Sequence, residues 1–270
     1  MDNELVSIII PTKNSAATLP ACIESIRNQD YSSIEIIVVD TNSTDDTVAI
    51  CESNNVLVLN TDWQTLGSRA IGLSRATGIY VLMMDSDQIL ESGCIENCII
   101  LMKECDMVCL EEKAFNPRTM IQKMYEADRK LIHKNADLQL DPFLGVLAPR
   151  FYRKSILEKA FARIPKDILP FATGTEDKII YYESLQVSNK VKILPNAVGH
   201  LEPEGIKQLW RKNYKYGKSD RQLAKTGHYA SLLSKKMRLR RSRGLSKNRI
   251  LSSMLLLLKA PPYLIGFYVG

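Results

Sequence analysis

The chain alternates short runs of β-branched residues with amphipathic stretches of helical period, and this order constrains the fold more than any other feature. The apolar runs occupy residues 6–10, 34–39, 55–60 and 79–84. Strands that alternate with helices form βαβ units, in which parallel strands share one sheet and helices cover its faces. A helix near 92–104 and a strand at 107–112 continue the pattern. The first half is therefore predicted to be an α/β domain with a mostly parallel central sheet flanked by helices.

The region from 116 to 189 is less regular. It contains a predicted helix at 118–134, a stretch at 142–149 punctuated by glycine and proline, and a helix that begins near Glu176. A strand is predicted at 191–195. We expect this region to complete the sheet and to build the pocket for a second substrate.

Two of the predicted strands end on acidic residues, which is unusual for a buried element. The run IIVVD ends on Asp40, and the run VLMMDSD ends on Asp85 and Asp87. Ligands of open α/β sheets gather at the carboxyl ends of parallel strands, and paired carboxylates suit a hard cation such as Mg²⁺ or Mn²⁺ that also binds phosphates. The alternative is a turn or a helix cap, where Asp is common.

Charge divides the chain after Glu204. Residues 1–204 carry 20 Lys and Arg against 29 Asp and Glu, whereas residues 205–270 carry 16 against 1. The C-terminal part is therefore expected to seek anions. Within it, eight Lys and Arg at 235–249 precede the apolar sequence ILSSMLLLLKAPPYLIGFYVG.

The apolar C-terminal sequence is about as long as a membrane-spanning helix, which needs about 20 residues. Lys259 and the Pro261–Pro262 pair fall in its middle, and an internal proline removes a backbone hydrogen bond and clashes with the preceding turn. We therefore predict a short apolar helix with a kinked continuation that enters one leaflet, and a basic run on anionic headgroups. The basic and aromatic residues could instead bind nucleic acid, but no nucleic-acid module is recognisable.

The N-terminal sequence MDNELVSIIIPTKN has acidic residues where a secretory signal carries positive charge, and its apolar run is too short for one. Secretion is therefore not expected. The cysteines lie within apolar patterns and lack zinc-type spacing with a nearby histidine. They are predicted to be reduced thiols of the core; they are Cys22, Cys51, Cys94, Cys98, Cys105 and Cys109.

Two segments in order, VSIIIPTKNSAATLPACIESIRNQDYSSIEIIVVDTNSTDDT and GSRAIGLSRATGIYVLMMDSD, resemble the family 2 glycosyltransferases. Members of this family have the GT-A fold and use nucleotide-activated sugars. The close likeness covers about the first 90 residues. It implies that Pro11 and Thr12 line the base pocket, that Asp40 binds the edge of the nucleobase, and that Asp85 and Asp87 form the metal-binding D-x-D motif with Mg²⁺ or Mn²⁺.

The resemblance also has local departures. Arg69 falls where the family's Arg-Asn pair begins, near the diphosphate, but Ala70 replaces the usual Asn. Asn42 stands where the family often has Gly, and since Asn tolerates a left-handed backbone the turn should survive. The sequence QILES replaces the QHPPE that often follows the D-x-D motif in polyprenyl-phosphate sugar synthases, which argues against a simple polyprenyl-phosphate acceptor.

The sequence GTEDKIIYYES contains a second acidic pair, Glu176 and Asp177. Acids favour the positive end of a helix, so the pair could be N-terminal decoration. The resemblance instead implies inverting transfer, with Asp177 as the general base and Glu176 as a residue that can orient the acceptor. It also implies that His200, which follows the predicted strand at 191–195, contacts the metal or the diphosphate, although a solitary histidine is often structural.

These features together predict a metal-dependent hexosyltransferase of glycan biosynthesis. Its catalytic domain would occupy residues 1–204, and residues 205–270 would form a basic, apolar helical extension. The donor would be a nucleoside diphosphate sugar, and the acceptor would be lipid-linked or held at the membrane surface. The protein would sit on the cytoplasmic face of the cell membrane as a peripheral or monotopic protein, without a nucleic-acid partner. The alternatives are a nucleotidyltransferase, or a non-catalytic protein that binds a sugar nucleotide or nucleic acid.

Overall fold

The computed structural model describes residues 4–133, 140–142, 147–234 and 246–270. Its strands are β1 Val6–Thr12, β2 Ile34–Asp40, β3 Leu57–Asn60, β4 Tyr80–Met83, β5 Gln88–Leu90, β6 Met107–Ala114, β7 Phe151–Arg153 and β8 Val191–His200. Its helices are α1 Leu19–Arg27, α2 Thr47–Ser53, α3 Thr65–Arg75, α4 Cys94–Leu101, α5 Met120–His133, α6 Lys154–Arg163, α7 Glu176–Leu185, α8 Ile206–Thr226, α9 Ala230–Ser234 and α10 Lys247–Tyr268, with a 3₁₀ turn at Lys166–Ile168. The strands form one sheet in the order β3-β2-β1-β4-β7-β6-β8-β5.

The first half of the sheet is parallel, as the alternation of strands and helices predicts. β1 pairs in parallel with both β2 and β4, and β2 pairs in parallel with β3. Val6, Ile8, Ile9 and Ile10 of β1 are all completely buried. A strand that is covered on both faces needs a continuous apolar run rather than an alternating one. This explains why the sequence VSIII of β1 lacks an alternation of polar and apolar residues.

The second half of the sheet is antiparallel, which the sequence analysis did not predict. β7 runs antiparallel to β4 and β6, and β5 runs antiparallel to β8. β5 and β7 have three residues each, too few for a periodic pattern to identify. Their pairing brings β8 and the start of β7 to the end of the sheet at which β4 finishes.

By contacts the chain divides into two compact units. Unit 1 comprises 1–112, 149–171 and 180–200, and unit 2 comprises 113–148, 172–179 and 201–270. The division after Glu204 that the charge pattern suggests stays a prediction. All six cysteines lie in unit 1, and all are buried and free, which confirms them as reduced core thiols.

Unit 2 is organised around the packing of α10 against α5 and α8. Met124, Tyr125, Leu209 and Leu255 form its apolar centre, and Lys259 Nζ lies 4.0 Å from the centroid of the Tyr125 ring. The sequence predicted a short apolar helix with a kinked continuation at Pro261–Pro262, and the described helix runs without interruption from Lys247 to Tyr268. Packing along two neighbouring helices offsets the local loss that a proline causes, since most helical stability comes from such packing.

Two glycines set the close approach of α8 and α10. A Cβ atom at Gly217 would lie 2.0 Å from the Tyr263 carbonyl oxygen, and one at Gly266 would lie 2.2 Å from the Tyr214 carbonyl oxygen. Because both obstacles are backbone atoms, they cannot rotate away as a side chain could. The two helices therefore cross at a distance that only glycine allows.

We expect Gly217→Ala to lower the free energy of unfolding by about 1–3 kcal/mol, because the added methyl group overpacks this crossing. Denaturant unfolding measures the change. Gly205→Ala is the matched control, since nothing lies within 4 Å of the Cβ position there, and its effect should be much smaller. Equal effects of the two substitutions would contradict the tight crossing.

Candidate active site

β1 and β2 end side by side in unit 1, and their last residues are in contact. Thr12 is the register partner of Asp40, and its hydroxyl donates to Asp40 Oδ1 at 2.7 Å. In the loop after β2, the Ser43 N–H donates to Oδ2 at 2.7 Å and the Ser43 hydroxyl donates to Oδ1 at 2.6 Å. Asp40 is 1% exposed. Its carboxylate is thus fixed at the predicted edge, and since a carboxylate accepts about four hydrogen bonds it retains capacity for a ligand donor.

The turn after β2 has the backbone that the sequence predicts. Asn42 has a φ of 51°, in the left-handed region that Asn enters more readily than most residues. The Thr41 N–H donates to the Thr12 carbonyl oxygen at 2.9 Å, so the turn is joined to the end of β1. Pro11 lies partly buried in β1, next to Thr12. The binding of a base by these residues stays a prediction.

Asp85, one residue beyond the Met84 that follows β4, lies between two arginines. Arg69 Nη2 is 2.7 Å from its Oδ1, and Arg150 Nη2 is 3.0 Å from its Oδ2. Arg69 comes from α3 and is completely buried. Arg150 is held by the sheet, because its N–H donates to the Val108 carbonyl oxygen at 3.0 Å. Each oxygen of Asp85 therefore has a guanidinium partner, and the pairing fixes the first carboxylate of the D-x-D motif.

A second carboxylate extends this cluster. Arg150 Nη2 lies 3.6 Å from Glu112 Oε1, and Gln88 Nε2 donates to the same oxygen at 2.8 Å. Gln88 also accepts, through Oε1, a hydrogen bond of 2.9 Å from the Asp85 N–H. The amide of Gln88 thus connects the D-x-D loop to β6.

Asp87 lies beside His200, as the D-x-D reading and the position of His200 together predict. The His200 Nε2 and Asp87 Oδ1 atoms are 3.5 Å apart. The contact follows from the sheet, because Gln88 in β5 is the register partner of His200 in β8. Between the two aspartates, the Ser86 hydroxyl is 2.9 Å from the Ser15 hydroxyl, which ties the motif to the loop after β1.

The donor set suits a cation that also takes ligands from its substrate. Within the described ranges, no group of three or more His, Cys, Asp and Glu is arranged to hold a metal by itself. Mg²⁺ commonly binds through only one or two carboxylates, with water and phosphate oxygens as its other ligands, and Asp87 meets that requirement. Burial, followed by the charges of Asp87 and Asp85, raises the pKa of the Cys22 thiol.

Glu176 and Asp177 lie in unit 2, in the first turn of α7, where the sequence predicted a helix to begin. Glu176 is buried, whereas Asp177 is partly exposed. The Thr175 carbonyl oxygen accepts the Ile179 N–H at 3.1 Å, so Thr175 immediately precedes the helix. The remaining predicted site residues, from Pro11 to His200, belong to unit 1.

Sequence reasoning missed Arg150 and Glu112. Arg150 follows an irregular stretch, and its place beside Asp85 depends on the antiparallel pairing of β7 that the sequence did not predict. Glu112 ends a predicted strand at 107–112, just as Asp40 ends β2. Its position at the end of a predicted strand, like that of Asp40, could have identified Glu112 as a candidate site residue.

Comparisons with known proteins bear on the fold and the family. A glucosyltransferase of Campylobacter jejuni, GalNAc(5)-diNAcBac-PP-undecaprenol beta-1,3-glucosyltransferase, is 32% identical over 169 residues, which cover 57% of this chain and 53% of that protein. The crystal structure of Staphylococcus aureus TarS 1–349 with UDP-GlcNAc has a TM-score of 0.57 at 20% identity and covers 82% of this chain and 71% of that chain. The mannosyltransferase PcManGT of Pyrobaculum calidifontis, solved with GDP-Man and Mn²⁺, has a TM-score of 0.59 at 16% identity and covers 99% and 76%.

These structural neighbours share the GT-A fold with this chain. The chain spans about a third to a half of the length of the curated relatives that it matches. The family model described as glycosyl transferase family 2 matches residues 7–161, which is more than half of the chain and includes Asp40 and the D-x-D motif. The chain therefore belongs to glycosyl transferase family 2.

Proposed function

We propose that the protein transfers a sugar from a nucleoside diphosphate sugar to an acceptor at a membrane surface, with inversion at the anomeric carbon. The observation that carries the proposal is the placement of Asp40, Asp85 and Asp87 at the carboxyl ends of β2 and β4, on either side of β1. Ligands bind at this edge of α/β sheets, and the family model includes all three residues.

On the donor side, Asp40 would accept a hydrogen bond from the base, with Thr12 and Pro11 beside it. Arg150 would face the diphosphate, and Arg69, which is completely buried, would support it by holding the other oxygen of Asp85. Bidentate arginine matches the geometry of phosphate oxygens. Loss of the usual Asn at Ala70 would then be offset in part by Arg150.

A divalent cation would bind at Asp87, with His200 beside it. Three acidic side chains, those of Asp85, Asp87 and Glu112, lie in this cluster with two arginines, Arg69 and Arg150, so acidic groups exceed the arginines by one. This excess favours a cation. The bound cation would stabilise the charge that develops on the departing diphosphate. Mn²⁺ in the PcManGT structure supports the choice of a divalent ion.

On the acceptor side, Asp177 would take the proton of the attacking hydroxyl. The bond between the acceptor oxygen and the anomeric carbon forms as the bond from that carbon to the phosphate oxygen breaks, and the diphosphate leaves with the electron pair. Asp177 suits this role better than Glu176 because it is the more exposed of the two.

A panel of UDP- and GDP-sugars, assayed by thermal shift with Mn²⁺, tests the donor class. A specific ligand raises the melting temperature because it stabilises the folded state by RT ln(1 + [L]/Kd). We expect one nucleotide to stabilise the protein and its cognate sugar nucleotide to do so further. Absence of a shift with every nucleotide would contradict the proposal.

The acceptor proposal rests on α10 and on one relative. The printed name of the Campylobacter jejuni glucosyltransferase describes an undecaprenol-linked acceptor. Among the described helices, α10 is long and apolar enough to cross a membrane, with a mean hydropathy of 1.5 and 22% of its apolar window buried.

The two faces of α10 indicate a helix that lies on the membrane rather than across it. Its inner stripe packs in unit 2, where the Ser252 hydroxyl donates to Asp128 Oδ1 at 2.5 Å and Leu255 is completely buried. The helical repeat places the opposite stripe about half a turn away, and this stripe is exposed and apolar: Ile250, Met254, Leu257, Ile265 and Tyr268. Basic residues of α8 would contact anionic headgroups at about 1 kcal/mol each. Most of the predicted basic run at 235–249 lies outside the described residues.

Leu257→Glu tests the membrane face, because Leu257 is 73% exposed and its replacement should not unfold the protein. We expect binding to vesicles of phosphatidylcholine and phosphatidylglycerol to weaken about tenfold or more, from the loss of one buried apolar side chain and the added charge. Cosedimentation measures the change. Ser253→Glu adds the same charge to an exposed position outside the apolar stripe and should have a smaller effect. Equal binding by both variants would refute the assignment of this face.

A further inference from the structure

The three residues before α7 contact one face of α8 through hydrogen bonds and close packing. The Thr173 N–H donates to the Ser219 hydroxyl at 2.9 Å, and the Thr175 hydroxyl donates to Asp220 Oδ1 at 2.6 Å. Positions three and four residues apart share a face of a helix, and Tyr216 occupies the same face one turn earlier. Contacts from this face therefore reach the residue that immediately precedes Glu176.

Gly174 packs closely against the same face of α8. Its φ is +81°, and a Cβ atom there would lie 2.5 Å from Tyr216 Cδ1. Glycine is required both by the left-handed backbone and by the close approach of the ring. The chain path into α7 is thus set by packing as well as by hydrogen bonds.

Asp220 is the central residue of this contact, and its charge is opposite to that of the basic sequence around it. It is the single acid of residues 205–270, which carry 16 Lys and Arg, and it is completely buried. Its second oxygen, Oδ2, accepts a hydrogen bond of 2.7 Å from the Tyr263 hydroxyl of α10. Burial, followed by the charge of Asp220, raises the pKa of Tyr263, so the phenol remains a donor. A buried carboxylate is costly unless hydrogen bonds satisfy it, and two different elements supply them here.

We propose that Asp220 is a positioning residue that holds the start of α7, and with it Glu176 and Asp177, and that links this start to α10 through Tyr263. The inference rests on the proposed role of Asp177 as the base. Displacement of a catalytic carboxylate by about 1 Å can lower the reaction rate by up to about 100-fold. A buried residue that fixes the backbone directly before the acidic pair would prevent such a displacement. The same residue gives the proposed membrane helix a direct hydrogen-bonded path to the acidic pair.

Thr175→Val and Thr175→Ser form a matched test in the full chain. Val keeps the shape of Thr but removes the hydroxyl, whereas Ser keeps the hydroxyl and loses only a methyl group. We expect amide exchange of residues 172–179 to rise about tenfold or more in Thr175→Val and to stay within about twofold of the parent protein in Thr175→Ser. Tyr263→Phe should give an intermediate rise, because it removes the hydrogen bond from Tyr263 to Asp220 and keeps both the ring and the bond from Thr175.

The turnover number, measured together with the donor dissociation constant, distinguishes a positioning role from a purely structural one. With a donor from the UDP- and GDP-sugar panel, and water as the acceptor, we expect Thr175→Val to lower kcat by about 10- to 100-fold at unchanged donor Kd, with Thr175→Ser restoring it. Equal exchange or equal kcat in the Val and Ser variants would overturn the inference. If Asp177→Asn lowers kcat but Thr175→Val does not, this inference fails alone. If Asp177→Asn keeps full kcat, the proposed base fails, and the exchange result still decides whether Asp220 anchors the segment.

Discussion

Asp177→Asn is expected to lower the turnover number by about 10²- to 10⁴-fold while the donor dissociation constant stays unchanged. This is the usual contribution of a positioned general base. Asn has nearly the same shape as Asp but cannot take the proton of the acceptor hydroxyl. Because Asp177 is partly exposed, the substitution should leave the fold intact. Single-turnover kinetics at saturating donor concentration would measure the effect on the chemical step.

Glu176→Gln is the matched control for this prediction, since it neutralises the neighbouring carboxylate in the same helical turn. Its effect should be smaller, and it should fall on the acceptor KM if Glu176 orients the acceptor. A near-normal rate for Asp177→Asn together with a large loss for Glu176→Gln would transfer the role of base to Glu176.

Asp87→Ala is expected to abolish both transfer and the metal-dependent part of nucleotide binding. The reason is the proposed binding of the cation at Asp87 beside His200, while Asp85 pairs with two arginines. A cation that joins protein to diphosphate cannot raise nucleotide affinity once its protein ligand is gone. Isothermal titration of the matching nucleoside diphosphate with Mn²⁺, and again with EDTA, separates the two contributions.

Asp30→Ala serves as the control for the loss of one exposed aspartate, because Asp30 follows α1 and lies outside the proposed site. It should keep the full metal-dependent affinity. Asp85→Ala is a poor substitute for the test, since it would leave the buried Arg69 without this counter-charge and destabilise the fold. An unchanged response to Mn²⁺ in Asp87→Ala would refute the metal assignment.

The parallel half of the sheet could be predicted from sequence because its signals are local. Each strand from β1 to β4 is an apolar run that carries its own period and ends at a polar turn. Asp40 and Asp85 could be placed at one edge for the same reason, since parallel strands end together. The left-handed Asn42 also followed from the chemistry of a single residue.

The antiparallel half could not be predicted, because its pairings join distant parts of the chain. β5 is three residues long, and its partner β8 lies about 100 residues later. Arg150 reaches Asp85 only through such a pairing, so no local pattern marked it. The kink expected at Pro261–Pro262 stays a prediction; the helix is uninterrupted there, because the packing of α10 offsets the local cost of the prolines.

Asp220 shows that a signal can be present and still go unused. The charge count of residues 205–270 already isolated it as the one acid among sixteen bases. An isolated charge of opposite sign in a basic helix is favoured at the surface, where it could pair with its neighbours. Its burial against Thr175 and Tyr263 depends on the tertiary packing of α8, which the sequence pattern does not encode.

The central claim is that the protein breaks the bond between the anomeric carbon and the diphosphate oxygen of a nucleotide sugar. Incubation with the best-binding sugar nucleotide and Mn²⁺ in H₂¹⁸O, followed by ³¹P NMR and mass spectrometry, tests it directly. The account predicts release of free sugar and of nucleoside diphosphate that carries no ¹⁸O, because the bond from carbon to oxygen breaks rather than the bond from phosphorus to oxygen, and it predicts loss of both products in Asp177→Asn. Release of nucleoside monophosphate and sugar phosphate, or of nucleoside triphosphate when pyrophosphate is added, would contradict glycosyl transfer and support nucleotidyl transfer.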